Sequence, residues 1–484
     1  MLQTFPCVSS GHGTLVRIAL IICLALPLSA SSASAAEFPP QVARALKDAG
    51  IAAQNAAIVV QGVDDAQPLL RINARQPMNP ASTMKLLTTY AALELLGPAY
   101  TWKTEVLTDA IEARAGSHAA ATLDGNVYLR GSGDPRLALE QFWLLLRQLR
   151  ARGVGDINGD LVLDRSAFSL PAHDPAQFDN QPLRPYNAGP DALLVNLNSV
   201  RLLLRGDAPQ KAVRVIGETP NDHLQVDNRM QLTEDACGDW RERLKVSVAA
   251  ERIVLAGTFS MQCGDKTLNL SPWSPDVQVD GLFRALWREL GGSLRGNVRA
   301  APTPEGARLL FAQDSPPLAD VVREINKYSN NVMARQVFLN LAESRPATTE
   351  AATQRVHAWL AEKSLSIPEL VLDNGSGLSR SERITADGLA RLLLSAWQSP
   401  VMPELMSSLP LAGVDGTLKK RLGNGALAGR AHLKTGFLEN VRAIAGYVQD
   451  SRNKRWVVVF LINDAKARQG KPAIDALLEW VAER

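Results

Sequence analysis

The sequence predicts an α+β fold, and three stretches carry that expectation. Near the C-terminus, His432 to Leu438, Arg442 to Val448 and Trp456 to Ile462 are apolar, strand-like runs joined by short polar links, the pattern of an antiparallel meander. Pro472 to Val481 follows as a closing helix, with Ile474, Leu477, Leu478 and Val481 on one face. In the middle, residues 102–302 break into short strand-like runs with recurrent turn signals, whereas helical patterns return from Pro316.

In chain order, the first stretch is expected to be removed. Arg17 precedes an apolar run, Ile18 to Leu28, and then a run of Ser and Ala ending at Ala36. A basic residue, a short apolar region and small residues at a cleavage site make a secretory signal peptide over 1–36. Residues 1–15 do not look like the start of one, as a start placed too early would explain; an uncleaved anchor is the other reading. No other apolar run is long enough to span a bilayer. Of 484 residues, 484 − 36 = 448 would remain, enough for about three domains of typical size. The 52 basic and 49 acidic residues leave a formal charge of +3, which argues against a dedicated nucleic-acid binder.

Ala56 to Val63 and Leu69 to Ile72 flank Asp64-Asp65-Ala66-Gln67-Pro68, a hairpin pattern. Pro80-Ala81-Ser82-Thr83-Met84-Lys85 comes next and leads into an apolar helical run that stops at Gly97-Pro98. The strand-like runs of the middle region include Asn126 to Leu129, Leu161 to Leu163, Leu193 to Leu204, Val213 to Ile216 and Ile253 to Phe259, with helical patterns near 135–151 and 280–290. We expect one or two α+β insert domains there. Cys237 and Cys263 are the two of the four cysteines that survive signal cleavage. In an exported chain a disulfide is the simplest reading, with two free buried thiols as the alternative. Their spacing, with no histidine at ligand distance, makes a poor zinc site. Leu318 to Tyr328 and Val332 to Leu341 are amphipathic helical segments, with Tyr328-Ser329-Asn330-Asn331 between them. A loop at Asp373 to Arg380, a helix at Ala386 to Ala396 and a loop at Gly413 to Thr417 complete the order.

Three short motifs sit in these elements: Ser82-x-x-Lys85 at a helix start, Ser329-x-Asn331 between helices, and Lys434-Thr435-Gly436 on a strand. Residues i and i+3 share a helix face, so the Lys85 amine can approach the Ser82 hydroxyl and serve as its base. An N-capping serine beside a surface lysine has the same spacing. Ser451-Arg452-Asn453-Lys454 repeats it where a hairpin turn is expected. Ser329 is placed to relay a proton to a leaving amine, and the Asn331 amide to hold a substrate peptide group. Lys434 and Thr435 offer a cation and a hydroxyl to a terminal carboxylate, on a strand edge suited to an extended peptide. Gly436 permits close backbone approach. The oxyanion hole is expected at the backbone N–H groups of Ser82 and Phe437. A Ser-His-Asp triad is the rival chemistry, but no Gly-x-Ser-x-Gly elbow is present.

The three motifs in this order are the signature of penicillin-binding proteins and class A β-lactamases. Together with Asn126 to Pro135, Gly375-Ser376-Gly377-Leu378-Ser379-Arg380, Gly413 to Leu418 and Gly446-Tyr447, the chain resembles the D-alanyl-D-alanine carboxypeptidase/endopeptidases of the penicillin-binding protein 4 type over nearly all of its mature length. Asn374 ahead of Gly375 departs from the pattern as a one-residue loop insertion. The resemblance implies a β-lactamase/transpeptidase-like domain, an antiparallel sheet flanked by helices, built from 37–103 and 303–484. A large, mostly-β insert of two nested domains would occupy 104–302. It further implies a periplasmic serine enzyme without metal or cofactor that acts on peptidoglycan peptides and binds β-lactams covalently. Arg380 and Asp174 are implied to line the substrate groove. There they would read the carboxylate and ammonium of the diamino acid preceding D-alanine; a surface salt bridge or a loop-locking arginine is the plainer role. A β-lactamase and a non-catalytic penicillin sensor or scaffold are the alternative functions. The oligomeric state is left open, a homodimer included.

Overall fold

A five-stranded antiparallel sheet carries the site. Its order is Ala431–Leu438, Val441–Gln449, Arg455–Asn463, Ala56–Gly62, Leu70–Ile72. The computed structural model describes residues 37–110, 113–116, 119–249, 252–423 and 425–484. The expected signal peptide lies outside them. Successive side chains of a strand point to opposite faces, and here both faces are covered. Val59, Ala445, Tyr447 and Val457 pack toward helices Lys85–Leu95, Leu318–Tyr328, Asn331–Asn340 and Ala386–Trp397. Ile58, Ile444, Val458 and Phe460 pack toward helices Pro40–Asp48 and Lys471–Ala482. Burial on both sides is why the inner strands Val441–Gln449, Arg455–Asn463 and Ala56–Gly62 are largely apolar instead of alternating. The 451–453 stretch is the turn between two of them, so the second Ser-x-x-Lys is a hairpin link. Among the described residues no helix is long and apolar enough to cross a membrane.

The chain enters the strand-rich middle region through Lys103–Thr108 and leaves it through Arg308–Asp314, which pair antiparallel with Lys103 opposite Asp314. The region therefore runs past residue 302. The Arg308–Asp314 strand has an apolar run, Leu309 to Ala312, that the sequence reading did not assign. These two strands close a five-stranded sheet with Val127–Arg130, Leu161–Asp164 and Val298–Ala300. A four-stranded sheet and two three-stranded sheets make up the rest, with helices Leu139–Ala151 and Pro275–Glu289. The expected strand from Leu193 to Leu204 begins only at Val200. Asn196, Leu197 and Asn198 instead take left-handed backbone, which the two asparagines tolerate better than most residues. Cys237 and Cys263 form a disulfide, their Cα atoms 4.7 Å apart, at the ends of the parallel neighbours Val226–Thr233 and Arg252–Ser260.

One helix ties the middle region to the sheet domain. Along Asn331–Asn340, Arg335 donates to the Ala188 carbonyl at 3.0 Å and Asn340 to that of Gly133 at 3.0 Å. Gln336 both accepts from the Asp191 N–H and donates to its carbonyl, at 2.9 and 2.7 Å. The element that begins with Asn331 is thereby held from both sides.

Candidate active site

Ser82 lies in a 3-10 turn, Ala81–Met84, that runs into the helix beginning at Lys85, so it precedes the α-helix proper. The turn is entered through Ala81 at a left-handed φ of 46°. Asn79 holds it: its Oδ1 accepts the Ala81 N–H at 2.9 Å, and its Nδ2 donates to the Ser379 carbonyl at 2.8 Å. Asn463, at the end of a sheet strand, accepts the Asn79 N–H at 2.7 Å. Sheet, turn and the 373–380 loop thus meet at Asn79, just upstream of the nucleophile candidate.

Lys85 is fully buried. Its Nζ lies 3.0 Å from Ser82 Oγ and 2.6 Å from Asn331 Oδ1, and also donates to the Ser376 carbonyl. Burial pushes its pKa well below the ordinary lysine range; the positive charges of Lys434 and Arg335 push the same way, and Glu382 opposes them. A neutral amine so placed can take a hydroxyl proton.

Ser329 ends the Leu318–Tyr328 helix in left-handed backbone, φ 57° and ψ 39°. That is an uncommon state for serine and of the kind that collects at functional sites. Asn330 then caps the next helix by accepting the Met333 N–H at 3.1 Å. The tight break aims Ser329 and Asn331 at two different lysines. Lys434 Nζ donates to Ser329 Oγ at 2.9 Å and to the Thr435 carbonyl at 2.9 Å. Its burial is also complete and brings its pKa down to about 7. Lys434 is thus a covered amine that meets Ser329. The Thr435 hydroxyl lies 2.9 Å from that of Thr417.

Two glycines let the backbones meet. A Cβ on Gly436 would sit 2.7 Å from the Pro80 carbonyl oxygen, which brings Phe437 beside the Ser82 turn. Gly377 has φ 78°, and a Cβ there would run into the Ala81 carbonyl. The strand carrying Gly436 has one sheet neighbour; on its other edge Leu411 bridges His432, and the edge is open beyond that, along the stretch that carries Lys434-Thr435-Gly436. Phe437 is half exposed, with the guanidinium groups of Arg442 and Arg468 near its ring.

Arg380 and Asp174 line one cleft of about 560 Å³ together with Phe178, Arg335 and Asp373, apart from the Ser82 cluster. Arg380 donates to the Phe178 carbonyl at 3.0 Å and lies over its ring. Asp174 accepts the Ala176 N–H at 2.8 Å in its own turn. Asn374 bridges its loop, accepting the Ser376 N–H at 3.0 Å and donating to the Leu378 carbonyl at 3.1 Å. Beneath it the fully buried Glu382 accepts the N–H groups of Asn374 and Gly375 at 3.1 and 2.8 Å, and burial raises its carboxyl pKa. The sequence reading missed Asn79, Glu382 and Arg335. Only Arg335 left a signal, as a charge inside the apolar run Val332 to Leu339.

A serine under a buried amine, flanked by Ser-x-Asn and Lys-Thr-Gly, invites comparison with known peptidases. The sequence profile of the D-Ala-D-Ala carboxypeptidase 3 (S13) family matches residues 39–484. The chain belongs to this family. Among S13 relatives, D-alanyl-D-alanine carboxypeptidase DacB of Haemophilus influenzae is 27% identical over 414 residues, which cover 84% of this chain and 85% of that protein. The D-alanyl-D-alanine carboxypeptidase of Actinomadura sp. (strain R39) is 27% identical over 444 residues, covering 87% and 80%. The crystal structure of penicillin binding protein 4 from H. influenzae has a TM-score of 0.74 at 26% identity, covering 90% of this chain and 99% of that one. The same protein in complex with a β-lactam gives 0.71 at 25%, covering 91% and 99%. This S13 chain therefore has the penicillin-binding, transpeptidase-like fold.

Proposed function

We propose that this S13 chain is a periplasmic serine DD-peptidase that works through a Ser82 acyl-enzyme. It removes terminal D-alanine from peptidoglycan stem peptides, cleaves D-alanyl–diaminopimelate cross-links and is acylated by β-lactams. The observation that carries the reading is the buried, depressed amine of Lys85 at 3.0 Å from Ser82 Oγ. Ser82 Oγ attacks the carbonyl carbon of the penultimate D-alanine, and its proton passes to Lys85 Nζ. The negative charge that builds on the carbonyl oxygen is met by the N–H groups of Ser82 and Phe437. As the C–N bond breaks, the leaving amine takes a proton through Ser329, backed by Lys434. Asn331 turns its Oδ1 to Lys85, so its NH₂ end is the one that can donate to a substrate carbonyl. Water then hydrolyses the ester and restores the Ser82 hydroxyl. Thr435 faces the terminal carboxylate; the peptide lies along the open edge of the Ala431–Leu438 strand. Arg380 and Asp174 line a cleft that suits the carboxylate and ammonium of a diamino acid side chain.

The test is incubation with purified cross-linked muropeptides, reading both monomers and free D-alanine. Release of both is expected. Release of neither, from protein that is folded by circular dichroism, contradicts the proposal.

A further inference from the structure

The carboxylate side of the site holds a second hydroxyl that the reaction above leaves unused. Thr417 Oγ1 lies 2.9 Å from Thr435 Oγ1, and Thr417 is open to solvent. Thr417 sits in a short turn, Gly416–Leu418, that belongs to neither the sheet nor a long helix. An ion pair between a buried lysine and a partly exposed aspartate fastens that turn. Lys327, in the last turn of the helix that ends at Ser329, donates to both carboxylate oxygens of Asp415 at 2.8 and 2.6 Å and to the Leu409 carbonyl at 2.6 Å. Asp415 in turn accepts the Leu411 N–H at 2.8 Å. The same helix end thus positions Ser329 directly and Thr417 through Asp415.

The chemistry of the pair follows from counting hydrogens. A hydroxyl has one hydrogen to donate, and an ionised carboxylate only accepts. When a carboxylate reaches Thr435 it takes that hydrogen. The 2.9 Å contact can then persist only with Thr417 as donor to the Thr435 oxygen. Such a chain holds the Thr435 rotamer and strengthens its outer hydrogen bond. We infer that Thr417 is a positioning residue for the terminal carboxylate of the substrate, acting through Thr435, and that the Lys327–Asp415 pair holds it there. The inference rests on the proposed role of Thr435.

The experiment compares a peptide ending in D-Ala-D-Ala as the free acid with the same peptide as its C-terminal amide, for wild type, Thr417→Val and Thr417→Ser. Valine keeps the shape and removes the hydroxyl. Losing one hydrogen bond of ordinary strength should lower kcat/KM for the acid about fivefold. The loss should appear in KM with kcat nearly unchanged, the amide should be unaffected, and serine should restore the wild-type value. Equal losses on acid and amide, a loss confined to kcat, or no loss at all overturns the inference. If wild type itself makes no distinction between acid and amide, the role of Thr435 has failed, and the inference falls with it. A wild type that distinguishes them while Thr417→Val does not differ from it overturns the inference alone.

Discussion

Two lysines share the site, and neither has an ordinary environment. Lys85 and Lys434 are both fully buried without a carboxylate in contact, so desolvation favours the neutral form of each. Lys434 falls from 10.5 to about 7. In the proposed reaction Lys434 backs the proton that Ser329 hands to the leaving amine, so its protonated form is the active one and is depleted above about pH 7. Acylation needs the neutral amine of Lys85, whose pKa burial holds well below 10.5, so we expect the rate of acylation by a β-lactam to show an acid limb well below that value; a limb in the ordinary lysine range contradicts the assignment. The stability effect has its own sign. The unfolded chain binds the Lys434 proton more tightly, so burial of this amine costs more stability as pH falls from 10.5 to about 7, and no more below that. Arg380 poses a different question, because it also holds the Phe178 carbonyl. If it reads substrate, Arg380→Ala should lower kcat/KM for diaminopimelate-containing peptides about tenfold more than for peptides with an uncharged residue there, as one charge-assisted hydrogen bond allows. Equal losses would assign it to the loop.

At the scale of elements, the site depends on how closely the edge strand approaches the Ser82 turn. A Cβ at position 436 would lie 2.7 Å from the Pro80 oxygen and 3.1 Å from the Ala81 Cβ, so Gly436→Ala must push strand and turn apart. Small misplacements of reacting groups can cost on the order of 100-fold. We expect acylation to slow by about 10- to 100-fold, measured by stopped flow, with little change in Tm. A rate within twofold of wild type would show that the approach is not critical. Much of this architecture was legible in the sequence. The meander of 431–463 and the closing helix announced themselves because burial on both faces leaves long apolar runs. Ser82 and Lys85, three residues apart, could be seen as neighbours. Thr417 and Thr435, or Lys327 and Asp415, could not, because only tertiary packing brings them together. Glu382 was hidden for the same reason: its partners are backbone N–H groups, which every residue but proline supplies. The Leu193 to Val195 run looked like strand because its residues are apolar, yet the asparagines after it turn the chain.

For the whole molecule, the middle region and the sheet domain meet along Asn331–Asn340, whereas the Cys237–Cys263 disulfide lies in a small sheet far along the chain from every motif. A cross-link closing a loop of 26 residues is worth ~3–4 kcal/mol in the chain-entropy account. Replacing both cysteines by serine should lower Tm by several degrees and leave the acylation rate within about twofold. Loss of acylation in a variant that still folds would mean that this sheet supports the site. The central claim is narrower than any of these: Ser82 is the acylated nucleophile and Lys85 its base. It is tested most directly by treating wild type and Lys85→Ala with benzylpenicillin, following intact mass over time and mapping the modified peptide. The account predicts one penicilloyl adduct on Ser82 in wild type, and acylation slowed at least about 100-fold without the amine. An adduct on Ser329 or Ser451, or a Lys85→Ala rate within tenfold of wild type, would contradict it.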